Sequence, residues 1–125
     1  MWVLDTNILI YHAAGEEDIA AFLDVHKNGI FYVPSIVIAE FLSYPLITES
    51  SVRAFKEFVR QTIIVNLDFA IAELAAEVRK KYRVKLKDAV VAATTFITNA
   101  TLLTKNTRDF RKIEGLKLFD LISAD

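Results

Sequence analysis

The chain has 125 residues, which is enough for one domain with a buried core and too few for two. Its 15 Lys and Arg residues nearly balance its 16 Asp and Glu residues, and this excludes a general attraction to nucleic-acid phosphates. Any contact with nucleic acid must therefore be local. Because the sequence has no cysteine, disulfide bonds and thiolate metal sites are also excluded.

The sequence contains no signal segment and no apolar run of the roughly 18 residues that span a membrane. We therefore expect a single domain over residues 1–125, located in the cytoplasm and without membrane contact. Hydrophobic residues nevertheless make up 54% of the chain, against about 45 to 50% by a similar count in ordinary domains. Part of this excess should face another protein chain, and we predict a homodimer that uses part of the segment from Phe41 to Phe58, which contains Leu42, Tyr44, Leu46, Ile47 and Phe55.

Five short apolar runs without polar alternation predict strands that are buried on both faces. They lie at Trp2 to Leu4, Ile30 to Val33, Ile63 to Val65, Thr101 to Leu103 and Leu116 to Leu118. Longer stretches with the apolar spacing of helices alternate with them, at residues 16–29, 34–44, 50–61, 68–82 and 87–100. This alternation predicts an α/β fold with a parallel sheet covered by helices, in which ligands bind beyond the carboxyl ends of the strands.

The first predicted strand leads directly into an acid, in the sequence VLDTNILI. An ionised carboxylate in so apolar a run needs partners or a change of protonation state, and this makes Asp5 a candidate site residue. The alternative is that Asp5, Thr6 or Asn7 caps a helix that begins near Ile8. Only further acids in similar settings favour the functional interpretation over the cap.

Three further acids have such settings. Glu40 lies on an apolar helix for which Ser35 is a natural cap, and no basic residue lies within one turn of it; the alternative is an acid pointing into solvent. Asp88 begins an almost wholly apolar helix, where the helix dipole alone would favour it. Asp109 follows the strand that ends near Thr104, where ordinary turn chemistry would also place an acid.

The fold predicts that these acids lie close together, since strand ends and helix N-termini meet at one edge of a parallel sheet. At an effective dielectric constant of about 20, two carboxylates about 5 Å apart repel each other by roughly 3 kcal/mol. A cluster of three or four such groups requires a divalent cation or bound protons. Oxygen ligands without cysteine or a histidine pair favour Mg²⁺ or Mn²⁺ over Zn²⁺.

The ordered motifs VLDTNILI, VPSIVIAEFL, LKDAVVAAT and ATLLTKNTRDFRKI resemble those of the PIN-domain ribonucleases, and among these the small VapC-type toxins of toxin–antitoxin pairs. The resemblance covers the whole chain. It implies a PIN-like three-layer fold with about five parallel strands. It places the metal-binding and catalytic acids at Asp5, Glu40, Asp88 and Asp109, and supporting polar residues at Asn7, Thr104 and Asn106.

The resemblance also implies a metal-dependent endoribonuclease with an RNA substrate, Mg²⁺ or Mn²⁺ as cofactor, a cognate antitoxin and a homodimer. Water attacking in line should leave a 5′-phosphate and a 3′-hydroxyl. We expect Asp5 and Asp88 to be inner ligands and Asp109, on a loop, to contribute less. Asp5→Asn should abolish cleavage and leave folding intact. If the substitution changes the stability of the fold without metal, it should raise it, since one repelling charge is removed.

Two other functions fit parts of the sequence. A PIN-like scaffold that binds RNA or protein without cutting would keep the same fold. A phospho-receiver domain would have a similar length and a similar parallel sheet, with Asp68 as the phosphate acceptor and Thr104 and Lys105 as switch residues. Against the receiver, Asp5 has no adjacent acid, and Asp68 has the sequence position of a helix cap.

Overall fold

The computed structural model describes residues 1–121, and a five-stranded parallel sheet with the order β3-β2-β1-β4-β5 runs through its centre. The elements follow one another as β1 (Trp2–Leu4), α1 (Thr6–Ala13), α2 (Glu17–Val25), β2 (Phe31–Pro34), α3 (Ser35–Leu42), α4 (Glu49–Val59), β3 (Ile63–Val65), α5 (Phe69–Tyr82), α6 (Leu86–Thr98), β4 (Thr101–Thr104), α7 (Thr107–Phe110) and β5 (Leu118–Asp120). The predicted α/β class and the five parallel strands are confirmed.

Successive strands are added first on one side of β1 and then on the other, so the order of the strands reverses at the centre of the sheet. From β1 the chain moves outward to β2 and β3, then crosses to β4 on the other side of β1. Right-handed crossovers put the helices after β1 and β2 on one face and those after β3 on the other. The carboxyl ends of β1 and β4 therefore flank the switch point, where open α/β sheets bind their ligands.

The ends of helix α5 follow from its sequence. The Asp68 carboxylate accepts a hydrogen bond of 2.9 Å from the backbone N–H of Ile71, which confirms that this acid is a helix cap. At the other end Arg83 adopts a left-handed conformation with φ of 56°, and its N–H bonds to the carbonyl of Arg79. This turn reverses the chain into α6, so that α6 begins at the same edge of the sheet as the end of β1.

Local predictions about β5, β3 and α3 are wrong. The last strand is Leu118–Asp120 and not Leu116 to Leu118, because Gly115 at φ of 82° and the N–H of Leu116 belong to the preceding turn. Strand β3 is not buried on both faces: it is one of the two edge strands of the sheet, and Ile63 is 50% exposed. Ser35 does not cap α3, because it is the first residue of the helix and its hydroxyl accepts from the N–H of Leu67.

The core consists of apolar side chains from β1, β2 and β4 and from the inner faces of the helices. Helix α6 is the most deeply buried helix, with eight consecutive buried residues from Asp88 to Thr95. Within residues 1–121, no helix is long and apolar enough to cross a membrane.

The structure corrects one part of the proposed dimer segment. Phe55 is buried and stacks on buried Phe41, with ring centroids 3.9 Å apart, so that neither ring is available to a partner. Leu42, Tyr44 and Leu46 are exposed. The apolar excess on this side of the molecule therefore lies in the segment between α3 and α4.

Candidate metal and nuclease site

The switch point holds three of the four predicted acids. Asp5 follows β1 directly, and its backbone N–H bonds to the carbonyl of Leu103 in β4. Asp88 lies in the first turn of buried α6, and Glu40 projects from α3, which packs against α6. The sheet thus brings together three carboxylates that are far apart in sequence.

The three carboxylates share one cation that is part of the chain, the ammonium group of Lys87. Its Nζ lies 3.1 Å from Asp5 Oδ1, 3.1 Å from Asp88 Oδ1 and 3.3 Å from Glu40 Oε1. The Asp5 side chain is only 2% exposed, whereas Lys87 is 25% and Glu40 43% exposed. The cluster is therefore closed at its Asp5 end and open to solvent at its Glu40 end.

The charges of this cluster shift the pKa values of its members. Burial alone would lower the pKa of Lys87, but the Asp5 and Asp88 carboxylates outweigh it and raise that pKa well above its usual value. Burial raises the pKa of Asp88; Lys87 opposes this, and the charges of Asp5 and Asp109 add to it. Lys87 thus remains an ammonium ion, and it offsets part of the repulsion between the acids.

Hydrogen bonds connect Asp5 to the fourth acid through two of the predicted supporting residues. The Thr104 hydroxyl donates to Asp5 Oδ2 over 3.0 Å and accepts from the N–H of Asn106 over 2.9 Å. The Asn106 amide then donates to Asp109 Oδ2 over 3.2 Å. The third supporting residue, Asn7, accepts a long hydrogen bond of 3.5 Å from the N–H of Lys105. This network fixes the orientation of Asp5.

Asp109 is the one of the four acids that Lys87 does not contact in the described structure, although its charge acts on Asp88. It is on α7 and not on a loop as expected, and the buried Thr107 and Phe110 hold this single turn in place. Within residues 1–121, no three Asp, Glu or His side chains are arranged to bind one metal ion in this conformation. The cation position among Asp5, Asp88 and Glu40 is occupied by Lys87.

A cavity of about 330 Å³ opens beside the cluster, lined by Asp5, Thr6, Asn7, Ile10, Glu40, Tyr44, Lys87 and Asn106. Thr6 is buried, and its hydroxyl is the one buried side-chain polar atom in the described part of the chain without a hydrogen-bond partner. Buried polar groups are normally paired, so an unpaired hydroxyl beside a cavity indicates a missing partner. Tyr44, which is partly exposed, forms one wall.

The alternative interpretation of Asp5 as a helix cap is also correct in part. Its Oδ1 accepts a 2.8 Å hydrogen bond from the N–H of Thr6, where α1 begins, two residues before the predicted start near Ile8. The cap uses one of several acceptor positions of the carboxylate, which also binds Lys87 and Thr104. Capping and membership of the acidic cluster are therefore compatible.

Lys87 is a member of this cluster that was not predicted from the sequence. Glu40 has no basic neighbour on its own helix, but the fold supplies one from α6. The signal was available in the sequence VKLKD, where Lys87 directly precedes Asp88. Lys87 also reverses one expectation: Asp5→Asn removes an attraction to a buried ammonium ion, so that it should lower stability without metal and not raise it.

The family of the chain follows from its sequence as well as from this geometry. The family model of the PIN domain matches residues 2–116. The chain belongs to the PIN domain family. The PIN domain match covers both strands that flank the switch point and all four acids.

Similar proteins agree with the PIN assignment. The chain is 28% identical to Ribonuclease VapC19 of Mycobacterium tuberculosis, over 94% of this chain and 98% of that protein. It is 27% identical to Ribonuclease VapC1 of Rickettsia felis, over 98% of each. The matches therefore extend over nearly the full length of both proteins.

Solved structures show the same fold. A toxin–antitoxin complex from Klebsiella pneumoniae contains a chain that is 26% identical, with a TM-score of 0.83 and coverage of 97% of this chain and 98% of that chain. VapBC2 from Rickettsia felis, bound to a DNA fragment from the promoter, contains a chain with 22% identity, the same TM-score and coverage of 95% and 97%. The predicted PIN-like fold is confirmed.

Proposed function

We propose that this PIN domain is a metal-dependent endoribonuclease and the toxin of a toxin–antitoxin pair. The observation that carries the proposal is the convergence of Asp5, Asp88 and Glu40 on one cation position at the switch point. Its support comes from the ribonuclease names of the relatives that match nearly the whole chain. The RNA substrate is inferred from these names and from the acidic site together.

The donor atoms fit a divalent cation in their chemistry. Three carboxylate oxygens already lie within 3.3 Å of a single cation, and Mg²⁺ and Mn²⁺ prefer such oxygen ligands. Lys87 would have to leave this position, and its partly exposed side chain can move toward the open end of the cluster. Asp5 and Asp88 would then hold the ion with Glu40, and Asp109, which does not contact Lys87, would contribute less directly. A bound Mg²⁺ or Mn²⁺ would acidify water and neutralise charge on the scissile phosphate.

The residues of the chain have separate roles in this proposal. Thr104 holds Asp5 in one orientation through its hydroxyl. Glu40, at the open end, would hold the ion through a bound water or help to remove the proton of that water. The unpaired hydroxyl of Thr6 donates to a phosphate oxygen in the cavity. In-line attack would leave a 5′-phosphate and a 3′-hydroxyl.

The proposed partners are an antitoxin and a second copy of the chain. Three of the similar solved structures are toxin–antitoxin complexes, and this supports an antitoxin that covers the exposed apolar surface of the toxin. The homodimer would use the exposed part of the segment from Phe41 to Phe58, where Leu42, Tyr44 and Leu46 are available. Burial of about 800 Å² on each partner is ordinary for a stable interface.

The experiment is incubation of the purified protein with a mixed RNA pool, with Mg²⁺ or Mn²⁺ and with EDTA. We expect cleavage with the metals only, and fragments that a 5′-phosphate-dependent exonuclease degrades. Products with a 2′,3′-cyclic phosphate, or equal cleavage in EDTA, would contradict the metal-dependent mechanism. Absence of cleavage with either metal, in a preparation shown to be free of antitoxin, would contradict the proposed function.

The second candidate function is a PIN scaffold that binds RNA or protein without cutting. Lys87 is the observation that favours it, because its ammonium group occupies the position that a metal ion would need. Calorimetric titration with MnCl₂ separates the two functions: a nuclease binds Mn²⁺ at the acids, whereas the scaffold binds none. The phospho-receiver alternative is set aside, since the chain is a PIN domain and Asp68 caps α5.

A further inference from the structure

The most unusual charge distribution in the sequence is a basic segment at residues 79–87, RKKYRVKLK. It contains six Lys and Arg residues and no acid, whereas the other 116 residues carry nine Lys and Arg against 16 Asp and Glu. The balanced net charge of the chain therefore conceals a strongly basic segment in an otherwise acidic protein. This is the local concentration of charge that a contact with nucleic acid requires.

The fold places the basic segment at the edge of the sheet that holds the acids. It begins in the last turn of α5, passes through the left-handed turn at Arg83 and ends in the first turn of α6, next to Asp88. Lys85 is the N-cap residue of α6 and lies only about 5 Å from Asp88 along the helix axis. The segment thus leads from the surface directly to the acidic cluster.

Most cations of this segment are available to a ligand; Lys81 also lies over the ring of Tyr82, 5.3 Å from its centroid. Five of them are exposed, and none of the five forms an ion pair with another residue in the described part of the chain: Arg79, Lys80, Lys81, Arg83 and Lys85. Arg79, Lys80 and Arg83 line a surface depression of about 380 Å³ with the buried Val84. The sixth cation, Lys87, reaches the acids.

Cations beside the acids would help a polyanionic substrate to approach the acidic cluster. The carboxylates would repel a phosphate chain, and exposed cations within about one Debye length, 8 to 10 Å, offset that repulsion. In addition, no side chain in residues 1–121 caps the N-terminus of α6, which leaves its first N–H groups available to an oxyanion. An acidic protein partner would not explain why the segment ends at the acids.

We propose that the basic segment 79–87 is the surface that binds the phosphate backbone of single-stranded RNA and leads it to the acidic cluster. This inference rests on the proposed ribonuclease function, and it names the part of the chain that holds the substrate. Arg79, Arg83 and Lys85 bind consecutive parts of the backbone, and they do so without reading sequence, since phosphate contacts position a strand and base contacts specify it.

The test is binding of a fluorescein-labelled, mixed-sequence RNA oligonucleotide in EDTA, followed by anisotropy over a range of KCl concentrations. The variant is R79Q/R83Q/K85Q. The matched control is R53Q/K56Q/K112Q, which removes the same charge from exposed positions outside the basic segment. Equal unfolding temperatures of both triple variants and the wild type establish that each protein is folded.

Three lost phosphate contacts should reduce the slope of log K against log salt by about 2, which corresponds to about 100-fold weaker binding near 0.1 M salt and little difference near 1 M. The control should keep the wild-type slope. An unchanged slope in R79Q/R83Q/K85Q, or an equal loss in the control, would overturn the proposal. DNA of the same sequence should show the same loss, whereas a loss confined to RNA would contradict backbone recognition.

Cleavage assays distinguish failure of this inference from failure of the proposed function. If the wild type cleaves RNA and R79Q/R83Q/K85Q binds and cleaves it equally well, the basic segment is not the substrate surface, and the ribonuclease function stands. If the wild type cleaves no RNA but the variant shows the expected loss of binding, the binding surface stands, and the proposed function fails.

Discussion

Replacement of Lys87 by Met tests whether its ammonium group holds the acidic cluster together. Its contacts to Asp5 and Asp88, both at 3.1 Å, are each worth about 5 kcal/mol in Coulomb energy at an effective dielectric constant of about 20. The contact to Glu40 at 3.3 Å is worth less, because Glu40 is 43% exposed and water screens the pair. The cost of burying these charges cancels most of that sum. Loss of one partner from a buried ion pair nevertheless costs about 3 to 5 kcal/mol, because the remaining charges stay buried without compensation.

We therefore expect Lys87→Met to lower the free energy of unfolding by about 3 to 5 kcal/mol in EDTA, a fall in melting temperature of roughly 10 to 20 °C. Mg²⁺ should restore most of this loss, because the acids are then free to bind it without displacing an ammonium group. The same substitution should tighten Mg²⁺ binding by about tenfold or more, since an opposing interaction of only about 1.4 kcal/mol has that effect.

The measurements are urea unfolding in EDTA and in millimolar MgCl₂, and calorimetric titration of Mg²⁺. Lys85→Met is the matched control, because it removes an exposed, unpaired lysine two positions away in the described structure. The control should lose less than about 0.5 kcal/mol. A Lys87→Met protein as stable in EDTA as this control, with unchanged Mg²⁺ affinity, would refute the reasoning.

Three further substitutions test other parts of the structure. Burial lowers the pKa of His12 below its usual value near 6.5, so that the unfolded state binds a proton more readily than the folded state. In urea unfolding, the wild type should therefore lose stability relative to His12→Gln as the pH falls below about 6.5. Asp109→Asn should weaken Mn²⁺ binding less than Asp88→Asn and regain cleavage at high Mn²⁺; an equal, unrescued loss would place Asp109 among the inner ligands. Leu46→Glu should shift a dimer toward monomer in sedimentation, whereas Phe69→Glu, with a similarly exposed side chain, should not, and the reverse result would place the interface elsewhere.

Much of the fold was predictable because the helices of this chain carry regular apolar spacing and clear end signals. The cap of α5 at Asp68 was read correctly from the sequence, and the strand at Ile63–Val65 has the predicted bounds. Exposure of that strand was not predictable, since apolar composition does not reveal which strand is the edge of a sheet. The order of strands is set by long-range pairing, and it decides which apolar run is covered.

The candidate site was predictable in part for a related reason. Acids such as Asp5 and Asp88 stand out because they interrupt apolar elements, and the parallel sheet explains why they lie together. Lys87 does not stand out, since a lysine near a helix start is ordinary on a protein surface. Its role depends on the approach of α3 to α6, a tertiary contact that no local pattern contains.

Comparison of the wild type with Asp5→Asn in metal-dependent RNA cleavage tests the central claim most directly. Asparagine keeps the shape and the capping oxygen but removes the charge that faces Lys87 and Thr104. We expect a folded variant, about 2 kcal/mol less stable in EDTA, since hydrogen bonds to charged groups contribute about 1.5 to 3 kcal/mol. Asp24→Asn, at an exposed position, is the control.

Cleavage by Asp5→Asn should fall by more than about a hundredfold with Mg²⁺ or Mn²⁺, because loss of even an outer-sphere partner of a metal costs 10- to 100-fold. Asp24→Asn should cleave like the wild type. Wild-type cleavage rates in a folded Asp5→Asn protein would contradict the claim that the carboxylates at the switch point form the nuclease site.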